Sequence, residues 1–426
     1  MERSISDIQK KLENHDAVVM TAQEICERVE KEDITIRDVD VVTTATRAIM
    51  SGTYAVMSFP AKAPFHFTRA SKVLLNGVPT HVGPCPNESL GILDLMVFGT
   101  AHSSIRRGYG AGHLFRDMVE QKTIDVSVTT NDNNTFQSEI TLDEMPYAKL
   151  HSTRNVFKNY SAFVNCSDIP VNTIFHATPF EPDMESATLS GCGQINPVKN
   201  DPLLQTIGMG TRVIINGGEG FVIGCGTRSS PEKPNLTGIA DMHNMDPQLM
   251  GGFLTSAGPE CIVSWAVPIP VLNQSILDAI ITPDREIPMP VMDVDKRVAI
   301  SASNYADAWE NVDLSVKFEP SSCLRCKVCK PIENCPMDAI YHKNEKLLLD
   351  RNLCFNCGLC ATNCPGNVFS AELGAVRVEK EGKMREVPIV LRQSDRKRAL
   401  SMAEKLKKDI IDGSFKLTGT LGRIQP

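Results

Sequence analysis

Short apolar runs broken by glycines and small polar residues fill most of this chain, and few stretches hold a helical period. Near the N-terminus Ile5, Ile8 and Leu12 recur at helical spacing, with Ser6 or Asp7 as the cap. Val18-Val19-Met20 interrupts that period as a short strand. Thr21 and Glu24 have the spacing of a capping box, opening a second helix through Val29, in which Cys26 is a packing residue. Residues 40–46 read as a strand ending in hydroxyl side chains. Arg47 follows at its carboxyl end, where α/β proteins often place ligand groups. Met50, Ser51 and Gly52 then form either a turn or a loop around an anion.

Residues 73–112 alternate apolar runs with glycines, and Cys85, between Pro84 and Pro86, is placed on a stiff loop. Arg106 and Arg107 precede a glycine-rich turn and a helix over 114–119. Backbone N–H groups and guanidiniums together favour a negatively charged ligand there. Residues 123–150 alternate as strands with a polar tip at 131–134, and 162–165 and 261–267 read as further strands. Residues 231–260 carry four prolines and read as a long polar loop, a lid or a docking surface. A helix over 271–281 and a strand over 298–304 follow. Beyond the cysteine-rich stretch, residues 375–379 and 385–391 form a hairpin turning at Gly382. Residues 394–411 form an amphipathic helix ended by Gly413, its basic face solvated. The alternation predicts an α+β fold, with an α/β-like large domain of mixed sheet over 1–310. A bacterial-type ferredoxin domain over 311–372 and a hairpin with a C-terminal helix over 373–426 complete the chain.

That ferredoxin assignment comes from cysteine spacing. Eight of the fourteen cysteines lie between Cys323 and Cys364. Cys323, Cys326 and Cys329 are spaced by two residues and followed by Cys335-Pro336; Cys354, Cys357 and Cys360 are followed by Cys364-Pro365. Triplets with a distant Cys-Pro are the pattern of two-cluster ferredoxins, in which the fourth cysteine of each run serves the other cluster. The spacing therefore predicts two [4Fe–4S] clusters, one on Cys323, Cys326, Cys329 and Cys364, the other on Cys354, Cys357, Cys360 and Cys335. Structural zinc would call for two CxxC pairs per site, which this arrangement does not supply. The first run has five residues before Cys335 where the second has three before Cys364.

Two further cysteines are framed by glycines, Gly191-Cys192-Gly193 and Gly224-Cys225-Gly226. Glycine on both sides lets a substrate approach a thiol and lets backbone N–H groups stabilise a thiolate. Both are candidate catalytic residues, the alternative being tight bends in strands. Arg47, Arg106, Arg107 and Arg212 are the candidate anion-binding residues, because a guanidinium fork bonds two oxygens at once.

Composition bounds the partners. A hydrophobic share of 42% with 22% charged residues belongs to an ordinary soluble protein. The net charge of −7 argues against nucleic acid or an anionic membrane. No run of eighteen apolar residues is present, and the first residues lack a signal peptide's apolar core. Clusters imply a reducing compartment, read as the cytoplasm. A homo-oligomer is left open.

The first three hundred residues or so resemble the homocysteine-biosynthesis domain family. The resemblance rests on residues 17–24, on Val41-Val42-Thr43-Thr44-Ala45-Thr46, on Asn76-Gly77-Val78-Pro79, on Tyr109-Gly110-Ala111-Gly112-His113, on Asn200-Asp201-Pro202 and on Ile207-Gly208-Met209-Gly210-Thr211-Arg212. It implies sulfur chemistry: an aldehyde becomes a thiol, as when aspartate semialdehyde becomes homocysteine. The ferredoxin-bearing branch of the family looks linked to coenzyme M assembly, with sulfoacetaldehyde as the aldehyde. The aspartate-semialdehyde branch carries a cysteine after the Thr-Thr-x-Thr strand and another in the following segment. Here residues 50–52 and 129–137 contain none, which points to a different aldehyde or sulfur route. The implied partners are a small anionic aldehyde, a sulfur donor (sulfide or persulfide) and an electron-donor protein. A competing reading makes the chain a non-catalytic electron-transfer or cluster-delivery partner.

Overall fold

The strand Val41–Ile49 is buried at every position but its last, as a strand covered on both faces must be. In the computed structural model, which describes residues 3–380 and 382–426 (Lys380 by its backbone alone), this strand anchors the largest sheet. It runs parallel to Val19–Thr21 and antiparallel to the long strand Gly258–Pro270. The sheet continues through Arg212–Ile215, Gly218–Cys225, Leu236–Asp241, Tyr147–Arg154, Gly52–Pro60, Ile92–Phe98 and His81–Val82, with Gly251–Thr255 branching from Gly258–Pro270. The C-terminal helix Arg396–Ile411 lies on Val41–Ile49 and Gly258–Pro270, burying Ala399, Met402, Ala403, Leu406 and Ile410.

A second sheet orders Ala299–Asn304, Pro288–Asp293, Ala162–Val164, Ala187–Leu189, Lys383–Arg392 and Ala375–Lys380. Its Lys383–Arg392 strand runs beside Ala187–Leu189, so the C-terminal hairpin is built into the large domain and does not stand apart from it. A third sheet holds Val78–Pro79, Ala70–Leu75, Ile124–Thr130 and Thr135–Ile140. The cysteine-rich stretch forms two short strand pairs, Lys317–Phe318 with Phe369–Ser370 and Ile340–Lys343 with Lys346–Leu349, beside the helices Lys330–Glu333 and Leu359–Asn363. The class is α+β. Among the described residues no helix is long and apolar enough to cross a membrane.

Several sequence expectations shift. The first helix, Ile5–Glu13, is capped by Ser4, which accepts from the Asp7 N–H at 3.1 Å while the Asp7 carboxylate accepts from the Ser4 N–H at 3.0 Å. The capping box of Thr21 and Glu24 is present as read. Arg47 lies inside its strand and not at the carboxyl end. Residues 231–260 are not a long loop: Leu236–Asp241 alternates buried and half-buried positions and pairs with Gly218–Cys225 and Tyr147–Arg154, and Gly251–Thr255 pairs with Gly258–Pro270. The helix expected over 271–281 is Gln274–Ile280, capped by Asn273.

Candidate active site

The carboxyl end of Val41–Ile49 turns at Met50 and Ser51 into Gly52–Pro60. Beside this turn the ends of Tyr147–Arg154 and Lys383–Arg392 meet the loop after Ala187–Leu189, and together they line an open cleft of about 90 Å³. Thr46, Ser51, Ser190, Asn159, Asn196 and Ser394 give it polar groups, and Phe157, Tyr160, Ile174 and Phe175 give it an apolar wall. Arg154 is the one cation among the lining residues, and none of them is Asp or Glu. Arg154, at the end of Tyr147–Arg154, is not among the arginines that the sequence singles out. Its only signal was a guanidinium at the end of a strand. The Glu260 carboxyl is held above the usual range by burial, against a hydrogen bond from Ser51, and its Oε2 has no partner.

Cys192 sits one layer behind this cleft. It is 0% exposed, and the Thr46 hydroxyl lies 3.5 Å from its sulfur. Burial pushes its thiol up, while the bonds from Thr46 and the Arg47 backbone oppose that shift. The expectation that flanking glycines expose the thiol is corrected here. A Cβ at Gly191 would collide with the Tyr305 ring, and one at Gly193 with the Asp284 carboxylate. The glycines serve close packing, and Thr46 and Gly191 stand between Cys192 and the cleft. Cys225 ends its strand half-buried, donates to the Gln425 carbonyl at 3.3 Å and does not line the cleft.

The four candidate anion-binding arginines do not converge. Arg47 is buried and its Nη1 lies 2.9 Å from Asp395. Burial lowers its pKa to about 10 even with that carboxylate beside it. It is therefore already paired, and an incoming anion would compete with Asp395 for it. Arg106 and Arg107 are exposed in a separate region, with Arg106 over the Tyr109 ring at 4.1 Å. Arg212 lies 3.4 Å from Glu219. None of the four lines the cleft that Arg154 lines.

The eight ferredoxin-type cysteines fall into two groups. Cys323, Cys326, Cys329 and Cys364 line one cavity of about 140 Å³. The Cys329 thiol is pushed up by burial first and then by Cys364, Cys323 and Cys326. Cys357 is raised by burial and then by Cys360, Cys335 and Cys354, which places those four together. Among the described residues no three His, Cys, Asp or Glu side chains converge on one point as a single metal ion requires. Two sets of four thiols, each spread around a space, have the donor chemistry of cubane sites.

The second group faces the cleft's back wall. Phe355, between Cys354 and Cys357 in the sequence, lies under the Arg47 guanidinium at 4.7 Å. The Asn356 amide donates to Asp395 at 3.3 Å, and Arg398 bridges the Asp395 carboxylate to the Cys354 carbonyl. The Arg392 N–H donates to the Cys357 carbonyl at 2.8 Å; two residues on, the Ser394 hydroxyl accepts from the Gly191 N–H at 2.8 Å. Two bonded routes thus connect the cysteine-bearing segment with Cys192, one through Arg47 and Thr46, the other through 392–394 and Gly191.

A family model described as "Homocysteine biosynthesis enzyme, sulfur-incorporation" matches residues 17–417. An uncharacterised protein of Methanothermobacter thermautotrophicus is 42% identical over 417 residues, covering 97% of this chain and 94% of its own length. A protein of Methanosarcina acetivorans named L-aspartate semialdehyde sulfurtransferase is 30% identical over 344 residues, 76% of this chain and 66% of its own length. A C-terminal segment is similar to an uncharacterised ferredoxin of Methanocaldococcus jannaschii, 41% identical over 51 residues, 12% of this chain and 34% of that one. No solved structure matches the chain.

Proposed function

We propose that this chain, which belongs to the homocysteine-biosynthesis, sulfur-incorporation family, is a sulfurtransferase that converts an anionic aldehyde to a thiol, with sulfoacetaldehyde as the aldehyde and coenzyme M as the product. The observation that carries this choice is the charge of the cleft, where Arg154 is unaccompanied by any carboxylate. Aspartate semialdehyde brings an ammonium group, and a site built for it would set an acidic side chain opposite. Sulfoacetaldehyde brings one anion and no cation. The guanidinium of Arg154 would hold the sulfonate through two parallel hydrogen bonds.

With a persulfide donor handing its outer sulfur to Cys192 by thiol exchange, one aldehyde, one Cys192 persulfide, four electrons and four protons give one thiol, one water and the free Cys192 thiol. Two [4Fe–4S] clusters, held by Cys323, Cys326, Cys329 and Cys364 and by Cys354, Cys357, Cys360 and Cys335, would supply the electrons singly. The protein's own groups do the rest. Phe157, Tyr160 and Phe175 exclude water around the carbonyl. Glu260, whose carboxyl burial holds above its usual range and which Ser51 hydrogen-bonds, would pass a proton by way of Ser51 to the departing oxygen. Cys192 carries the sulfur, since it lies behind Thr46 at the cleft while Cys225 is tied to the backbone of the C-terminal segment.

An anaerobic assay with a persulfide donor, a reductant and sulfoacetaldehyde tests this. Cys192→Ala is expected to abolish thiol formation and Cys225→Ala to retain it. Arg154→Ala is expected to raise the KM for the aldehyde about 10- to 100-fold, the worth of a charge-assisted pair. Full thiol production by Cys192→Ala removes it as the carrier. A second reading, homocysteine from aspartate semialdehyde, is favoured by the name of the Methanosarcina relative. It prevails if aspartate semialdehyde outcompetes sulfoacetaldehyde in the same assay.

A further inference from the structure

The two cysteine groups differ in exposure. In the inner group Cys354 and Cys357 are buried and Cys335 and Cys360 partly exposed, whereas in the outer group Cys326 is exposed and Cys323, Cys329 and Cys364 partly so. The loop that carries the outer group is also unusual in its surface. Leu324 is 65% exposed and Val328 57%, two large apolar side chains flanking Cys326 with nothing packed over them. Arg325, Lys327 and Lys330 are exposed between and beside them, and no carboxylate occurs from Pro320 to Ile332. His342 closes the rim of the same cavity. A cationic, apolar-centred patch has thus been placed on a chain whose net charge is −7.

We propose that this face, formed by Leu324, Arg325, Lys327, Val328, Lys330 and His342, is the docking surface for an acidic electron-carrier protein. The inference rests on the reading of the eight cysteines as cluster ligands. An apolar centre ringed by charge is the anatomy of a transient protein interface: the charges steer encounter, and the apolar contact excludes water. Small redox complexes of this kind bury little area and rely on electrostatics for their rate of formation. The outer cysteine group lies directly beneath the patch, and the inner group leads on to Asp395, Arg47 and Cys192. Electrons entering here would have one direction of travel, from surface to cleft.

The experiment uses the full chain with its clusters reconstituted anaerobically and a strongly acidic two-cluster ferredoxin as the probe. Binding is followed by calorimetry, and reduction of the chain by pre-reduced ferredoxin is followed by stopped-flow absorbance. Affinity is expected to fall at least about tenfold between low and about 0.5 M salt, because such contacts are screened. Lys327→Glu with Lys330→Glu is expected to weaken binding about tenfold or more and to slow reduction in proportion. Lys405→Glu with Lys408→Glu, exposed on the C-terminal helix, changes net charge equally and is expected to leave both unchanged. The visible and paramagnetic cluster spectra of each variant confirm that the clusters are intact. Salt-independent binding, or equal weakening by both pairs, overturns the proposal. Thiol formation driven by dithionite needs no docked protein. Its loss would therefore count against the sulfur chemistry, and its retention with lost ferredoxin binding would support the surface.

Discussion

At the scale of single residues the sharpest question is charge in the interior. Arg47 and Asp395 are both buried, and Asp395 also takes hydrogen bonds from Arg398 and Asn356. The two partners are not equivalent. Removing Arg47 leaves Asp395 with Arg398, 2.9 Å away and only partly buried. Removing Asp395 leaves a fully enclosed guanidinium with one long bond to the Gln248 carbonyl. Asp395→Leu is therefore expected to cost about 3–5 kcal/mol, as an uncompensated buried charge does, and Arg47→Met clearly less. Chemical denaturation of the two variants gives the order, and the reverse order would discard this account. Legibility at this scale was uneven. The gathering of the eight cysteines into two sets of four was legible, because the spacing that would serve iron–sulfur clusters is written along the chain. The role of Arg47 was not, because a guanidinium's partner 348 residues away leaves no local mark. Arg154 was missed for the same reason: what makes it a cleft residue is the meeting of five distant segments.

Elements show the same division. Thr21 with Glu24 announced a helix because both halves of a capping box lie within one turn. Residues 231–260 misled, since their prolines and glycines suggest a loop, while the strands they contain are held by pairing to distant neighbours. The helix Ala111–Val119 carries a pH-sensitive example of such a contact. His113 packs so closely on Gly252 of the strand Gly251–Thr255 that a Cβ there would meet the imidazole. Burial lowers its pKa to about 4, Asp117 opposes that, and Arg106 and Arg116 add to it. The unfolded chain binds this proton near pH ~6.5. Between about 6.5 and about 4 the unfolded state holds more protons than the folded one, so stability is complete above the window and is lost as pH falls through it. The loss is expected to be about 1–3 kcal/mol by pH ~4. Subtracting the pH profile of His113→Gln from that of the parent isolates it, and parallel profiles would remove His113 as the cause.

Over the whole molecule, chain order and spatial order part company. The sheet that holds the cleft draws on residues from Val19 to Pro270, the helix over it comes from the last thirty-one residues, and the cysteine-bearing segment lies between the two in sequence. Local patterns mark the cysteine-rich segment off from the rest of the chain. They do not show that the return of the chain through Lys383–Arg392 and Arg396–Ile411 clamps one to the other. That clamp predicts how metal loss propagates. Clusters bound as proposed would tie four thiols each, and thiols that burial pushes up have no such tie to one another, so stripping the clusters should loosen their loops. The loosening should spread where bonds cross the boundary, at Arg392 to Cys357, Asn356 to Asp395 and Arg398 to Cys354. It should fade along Val41–Ile49 and Gly258–Pro270, whose pairing runs over nine residue pairs and which meet the cysteine segment toward one end, at Arg47, Ile49 and Ile262. Hydrogen exchange on the chelated protein is expected to rise through 320–370 and at 392–398 while those two strands stay protected. Uniform loss of protection would mean that the clusters hold the entire fold. No change at 392–398 would mean that the Asp395 network does not couple the cysteine segment to the cleft, and with it would go the bonded route from Phe355 through Arg47 to Cys192.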